Sequence, residues 1–305
     1  MKLVGDIGGT KTLLALADEA GTLHHVTRLA ADDYKDFASA VSAYLAKTND
    51  AEIDGGCLAV AGPIADGGRS AHLTNRDWQI DASALEKQFK LPQLKLVNDF
   101  AGAAMGVTVD TDAQPVELQT GTPLEDGLRL VIGAGTGLGV ASLVMLDGKW
   151  RVLPGEGGHI GFAPQDAQQD ALCLWLRERH GRVIIEHIVS GIGLASIHSF
   201  LHQETLEPAT VAAHAKQGQP RALASFDLFA SIYGAVSGDY ALARMARGGV
   251  FLAGGIAAAN IELMQRGPFL KAFNAKGVHS NLAAQMPVSI VTEPLLGLYG
   301  ASQLA

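Results

Sequence analysis

Asp99 is the residue best placed to move a proton. Lys95–Val97 reads as a strand that delivers Asn98 and Asp99 to its carboxyl end. An α/β sheet places its working groups there, and a carboxylate in that position can accept a proton. A helix N-cap ahead of Phe100 would use the same residue types, so base and cap stand as alternatives. Asp6, between the first strand and Gly8-Gly9-Thr10, suits a hard magnesium ion bound directly or through water, with a turn-forming Asp as the alternative. Pro154–His159 is a loop bent by glycines that carries one acceptor, Glu156, and one donor or acceptor, His159. Glu186, flanked by apolar residues, projects either into a cleft or from a solvated helix face. As a set, Asn98, Asp99, Glu156, His159 and Glu186 are rich in acceptors and poor in basic groups. Such a set suits a neutral polyhydroxylated ligand better than an anion.

Two stretches supply what this set lacks for phosphate. Leu3–Ala17 and Leu130–Val144 each run as an apolar strand, a Gly/Thr turn and a second apolar strand. Turn signals follow in both, Asp18–Gly21 and Asp147-Gly148, leading to a third strand-like run. This is an internal repeat of a β-β-β unit. Glycine lets backbone N–H groups converge on an anion, and threonine adds a hydroxyl, so two such turns can hold a polyphosphate; two ordinary glycine-rich hairpins are the alternative. Other nucleotide motifs fail. No register of Gly133–Gly139 gives a dinucleotide fingerprint, and Gly148-Lys149 precedes Trp150 instead of Ser or Thr.

The elements that position these residues alternate between strand and helix. Helical spacing covers Ala38–Ala46, Ala171–His180, Ala222–Ala246, Ile256–Arg266 and Leu295–Leu304, while Gly56–Gly62, Leu94–Val97 and Gly249–Gly255 read as buried strands. The alternation predicts an α/β fold. A length of 305 residues suggests two domains, and the Asp-, Thr- and Gln-rich stretch Thr108–Thr122 marks the boundary. The expected division is 1–108 with 294–305 as a small domain and 109–293 as a large one. A net charge of −8 argues against nucleic-acid binding, and no apolar run is long enough to span a membrane. Cys57 and Cys173 read as core thiols, the amino terminus reads as a strand instead of a targeting segment, and a cytoplasmic location is expected.

Gly5–Thr10, Asn98-Asp99-Phe100, Gly133–Gly139, Pro154–His159 and Gly254-Gly255 occur in the order and spacing of bacterial glucokinases, and the chain resembles that family over nearly its whole length. The resemblance implies a two-domain actin-like ATPase, or ribonuclease-H-like, fold with a cleft between the domains. It implies ATP-dependent phosphorylation of glucose with magnesium as cofactor, and a homodimer. It assigns the phosphates to Gly5, Asp6, Ile7, Gly8, Gly9 and Thr10 and to Gly133, Gly135, Thr136 and Gly137, and the adenosine to Gly254 and Gly255. Asp99 is implied as catalytic base, with Asn98, Glu156, His159, Glu186 and, further out, Asn75 on the sugar. Lys11 stands where many such glucokinases have Asn, as in the related ROK sugar kinases, whose zinc-binding cysteines have no counterparts near His159. A kinase for another hexose and a non-catalytic sugar sensor of the same fold remain as other readings.

Overall fold

In the computed structural model the described residues are 1–8, 11–48, 52–65, 67–73 and 76–305, with Lys11 described by its backbone alone. The chain divides into two compact units: Met1–Asp112 with Trp150–Pro154 and Glu293–Ala305, and Ala113–Lys149 with Gly155–Thr292.

The first unit opens with an antiparallel meander, β1 (Lys2–Ile7), β2 (Lys11–Ala17) and β3 (Leu23–Ala30). Leu3, Val4 and Ile7 of β1 and Leu14, Ala15 and Leu16 of β2 are fully buried, so both faces of these two strands feed the core. The Asp18–Gly21 signal makes the expected turn: the Gly21 N–H donates to the Asp18 carbonyl, and Asp18 Oδ1 accepts from Ala20 and Thr22 at 3.0 and 2.9 Å. Helix α1 (Phe37–Leu45) starts from a reciprocal Asp36–Ser39 capping box. Strand β4 (Gly56–Val60) then adds to β1 in parallel. A small sheet of β5 (Ile64–Ala65), β6 (Ser70–His72) and β7 (Gln79–Asp81) leads through α2 (Ala82–Phe89) into β8 (Leu94–Asn98) and α3 (Asp99–Gly106). The start of β8 is pinned from both sides. Arg69 forks onto Glu86 at 2.7 and 2.9 Å and donates to the Leu94 carbonyl at 2.9 Å, while Glu86 accepts the Leu94 N–H at 2.6 Å. The Arg69 hydrogen bonds hold the Glu86 carboxyl below its usual range.

After α3 the chain forms β9 (Val116–Gln119), β10 (Arg129–Ala134) and β11 (Leu138–Leu146) of the second unit and β12 (Lys149–Gly155), of which Trp150–Pro154 is grouped with the first unit, then helices α4 (Ala167–His180), α5 (Gly191–His202), α6 (Pro208–Lys216) and α7 (Pro220–Arg244). Strand β13 (Gly249–Ala253), helices α8 (Gly255–Ala259), α9 (Ile261–Met264), α10 (Pro268–Asn274) and α11 (Ser280–Ala283), and β14 (Val288–Ile290) follow. Between β11 and β12 both Asp147 (φ 51°) and Gly148 (φ 70°) are left-handed, the geometry of a tight hairpin. Helix α7 is the central rod of this core, with Phe226, Phe229 and Tyr233 fully buried against Phe269 and Phe273 of α10. The helix expected over Ile256–Arg266 is broken into α8 and α9. At the break Asn260 leaves helical geometry (φ −131°, ψ 39°) and turns its Nδ2 back onto the Ile256 carbonyl at 2.8 Å.

The repeat read from three strands extends to five. The first sheet runs β3-β2-β1-β4-β8 and the second β12-β11-β10-β13-β14, with β9 added at its edge. The same strand order and the same pattern of antiparallel and parallel pairs recur in both. Strand β9 lies inside Thr108–Thr122, so the polar stretch taken as a boundary also provides an edge strand. Cys57 in β4 and Cys173 in α4 are buried and unpaired, and burial pushes the Cys57 thiol up to about 12.

The last helix, α12 (Leu296–Leu304), packs on α3 through glycine. A Cβ at Gly300 would fall on the Gly102 carbonyl, and one at Gly106 on the Leu296 carbonyl. The crossing therefore depends on backbone meeting backbone. Gly300→Ala forces the helices apart and should cost about 1–3 kcal/mol, as overpacking does. Thermal unfolding should show a clearly lowered Tm; an unchanged Tm would mean that the helices do not meet at this point.

Candidate active site

In the first unit the candidate residues gather at the carboxyl ends of parallel strands. Register pairs Ile7 with Val60 and Val60 with Asn98, and one residue earlier Asp6 with Ala59 and Ala59 with Val97. Two strand spacings, roughly 10 Å, separate β1 from β8. Asp6 is half-buried near the end of β1, and a Cβ on Gly297 of α12 would lie 2.7 Å from its Cγ and Oδ2. The absent side chain at Gly297 makes room for that carboxylate. Asn98 is the N-cap of α3: its Oδ1 accepts the Phe100 N–H at 3.0 Å, and its Nδ2 reaches the Gly62 carbonyl at 3.5 Å. Asp99 is the first residue of the helix, with Oδ1 also accepting the Phe100 N–H, at 2.8 Å. The cap position thus belongs to Asn98, and the Asp99 carboxylate is held at the helix start beside it. Gly5 and Ile7 are buried in β1 and Gly8 follows it; Gly9, Thr10 and Asn75 lie outside the described residues.

In the second unit the β10–β11 turn is fixed by three bonds. The Gly135 N–H donates to the Gly137 carbonyl at 2.8 Å, the Gly135 carbonyl accepts the Gly191 N–H from the start of α5 at 2.8 Å, and the Leu138 N–H donates to Glu186 Oε2 at 2.7 Å. Thr136 and Gly137 form the tip of the turn, and Thr136 is exposed. Gly133 pairs with Ala253 in β13, so Gly254 and Gly255 emerge beside this turn. Gly254 has φ +85°, and a Cβ there would press on the backbone of Ala134. Only glycine fits this junction.

The loop predicted from its glycines is a single tight turn. Glu156 precedes a 3₁₀ turn over Gly157–His159, and both Glu156 and His159 are exposed. Tyr240 of α7 donates its hydroxyl to the Gly157 carbonyl at 2.6 Å, and Arg182 donates to the His159 carbonyl at 3.2 Å. Glu186 lies on a second 3₁₀ turn, Ile185–His187, and is half-buried, so it occupies neither a solvated helix face nor a long helix. Burial lowers the pKa of the adjacent His187, and the stacked His180, with ring centroids 4.0 Å apart, adds to that effect.

The donor set fits magnesium in one way. Among the described residues no three His, Cys, Asp or Glu side chains gather where they could hold a metal ion. Asp6 is a single hard carboxylate, which suits an ion that keeps several waters and takes other ligands from phosphate. Sequence reasoning missed Gly297, Tyr240 and the Leu138 N–H. Tyr240 is separated from Gly157 by 83 residues and sits in a run of apolar helix residues, where nothing local marks it as a loop anchor.

Comparison with known proteins agrees with these motifs. The profile of the family described as Glucokinase matches residues 3–305. A glucokinase of Photorhabdus laumondii is 36% identical, with 98% of this chain and 95% of that protein aligned. The crystal structure of glucokinase from an Antarctic psychrotroph superposes with a TM-score of 0.88 at 32% identity, covering 99% of this chain and 97% of that one. That of Balamuthia mandrillaris glucokinase in complex with glucose superposes with a TM-score of 0.81 at 25% identity, covering 100% and 93%. Sequence match and shared architecture extend over the two sheets and the loops at their strand ends, and the chain belongs to the glucokinase family.

Proposed function

We propose that this chain transfers the γ-phosphoryl group of MgATP to the 6-hydroxyl of glucose, giving glucose 6-phosphate and ADP. The observation that carries the reading is the placement of Asn98 and Asp99 at the carboxyl end of β8, one register row beyond Asp6 near the end of β1. Asn98 holds the N-cap of α3, and the Asp99 carboxylate is held in the first turn of that helix by the Phe100 N–H. Asp99 accepts the proton of the 6-hydroxyl as that oxygen bonds to the γ-phosphorus, and the bond to the bridging oxygen breaks to release ADP. Asn98, Glu156, His159, Glu186 and Asn75 hold the sugar hydroxyls, a set of acceptors suited to a neutral polyol. The Gly5–Thr10 segment and the N–H groups of Thr136 and Gly137 bind phosphate, with Gly254 and Gly255 against the adenosine. Asp6 would hold magnesium directly or through water, and the ion would screen the charge on the phosphates. A homodimer in the cytoplasm belongs to the same reading, and light scattering after size exclusion checks the assembly.

A coupled assay for ADP release over a panel of hexoses should give the highest kcat/KM for glucose. A preference for fructose or N-acetylglucosamine would redirect the sugar assignment to another hexose kinase. Asp99→Asn keeps shape and capping ability but cannot take the hydroxyl proton. General-base catalysis contributes about 10²–10⁴-fold, so kcat should fall by about two orders of magnitude or more, with Tm and glucose affinity little changed. Near-normal turnover would make Asp99 structural. Asp6→Asn should lower turnover and raise the magnesium concentration needed for half-maximal rate, and an unshifted magnesium titration would remove Asp6 from the metal.

A further inference from the structure

We propose that Glu186 is a positioning residue for the nucleotide phosphates, in addition to any bond it makes to the sugar: its carboxylate sets the β10–β11 turn and ties that turn to the loop carrying Glu156 and His159. The inference rests on the functional reading above and adds a second duty to one of its residues.

Three segments of the second unit meet on this side chain. Glu186 Oε2 accepts the Leu138 N–H at 2.7 Å, the bond that closes the turn on its β11 side. A Cβ on Gly137 would run into that same oxygen, so the carboxylate lies directly against the turn backbone. A Cβ on Gly158 would stand 3.3 Å from Oε2, which places the Glu156–His159 loop on the other flank of the same atom. The backbone of the residue is fixed as well. The Ser190 hydroxyl donates to the Glu186 carbonyl at 2.7 Å while accepting the Gly193 N–H at 3.1 Å as the N-cap of α5. The first residue of that helix, Gly191, holds the Gly135 carbonyl at the far side of the turn. The turn is therefore gripped at Gly135 by the start of α5 and at Leu138 by Glu186, with Thr136 and Gly137 between them.

The grip matters because a backbone anion site works through direction. N–H dipoles stabilise an anion well only when fixed before it arrives, and in this turn the fixing bond at Leu138 comes from a side chain 48 residues away. One carboxylate oxygen serves the turn, and the other remains to face the sugar hydroxyls of the proposed reaction. The sugar and the nucleotide would then stabilise the same carboxylate position, and each would raise the affinity of the other by the same factor.

Three substitutions separate the two duties. Glu186→Gln keeps an oxygen for the Leu138 N–H and removes the charge; Glu186→Asp keeps the charge and withdraws the acceptor; Glu186→Ala removes both. Titration with a non-hydrolysable ATP analogue and Mg²⁺ in the absence of sugar should leave the Gln variant within about threefold of the parent. The Asp and Ala variants should weaken roughly tenfold or more, the scale of one charge-assisted hydrogen bond. In steady state the ATP KM should rise in the Asp and Ala variants, whereas glucose affinity should fall in all three. Unchanged nucleotide affinity in Glu186→Asp or Glu186→Ala would overturn the inference, as would an equal loss in the Gln variant. If one variant fails to fold, the other two still decide. Failure of the parent protein to phosphorylate glucose in the coupled assay would instead overturn the functional reading, since the titration needs no sugar and no turnover.

Discussion

The parallel register of β1, β4 and β8, and its repetition in β10, β13 and β14, is the constraint on which the site depends. Ladder hydrogen bonds hold Ile7, Val60 and Asn98 in one row and Gly133 beside Ala253 in the other sheet. A slip of one residue would turn every side chain to the opposite face. It would carry Asp6 away from the space that Gly297 leaves for it and move Asn98 off the cap of α3. The fully buried apolar residues of β1, β4 and β10 make such a slip expensive, so core burial is also what aims the polar residues at the strand ends.

This coupling explains what the sequence discloses. The glycine motifs are legible because the turns need close backbone approach, and the apolar runs before them are legible because parallel strands are buried on both faces. The Gly5–Thr10 and Gly133–Gly139 segments show both signals together, and the repeat of the first three strands can be seen by eye. Strands β4 and β13 share only an opening glycine and an apolar run, and β8 and β14 share less, so the full five-strand repeat emerges only in the sheet topology. Contacts made by one atom across a long stretch of chain are the least legible. The Glu186 bond to Leu138, the Tyr240 bond to Gly157 and the fit of Gly297 against Asp6 leave no periodic trace. The break at Asn260 was hidden for another reason, since a side chain returning to its own helix leaves the apolar spacing on both sides intact.

Charge distribution follows the same division. The protein carries a formal charge of −8, and its candidate sugar residues are acceptors, so the long-range field does not favour an anionic nucleotide. Binding of phosphate must then rest on short-range donors. In the proposed reaction, backbone N–H groups such as those of the β10–β11 turn would supply these donors without a basic residue. A magnesium ion bound with the nucleotide would add positive charge beside the phosphates and leave the acceptor character of the candidate sugar residues intact.

The two sheets also place acidic residues at equivalent positions. In each sheet the fifth strand of the repeat ends near an acidic residue at or before the start of a helix: β8 runs into Asp99, the first residue of α3, and β14 is followed by Glu293 ahead of α12. At the second of these Glu293 Oε1 accepts the Leu295 N–H at 2.8 Å as the chain turns into the helix. At the first, an asparagine placed one residue earlier takes the cap position of α3. Asn98 Oδ1 and Asp99 Oδ1 accept the same Phe100 N–H, at 3.0 and 2.8 Å, so the bond that starts the helix also orients the carboxylate proposed as the base.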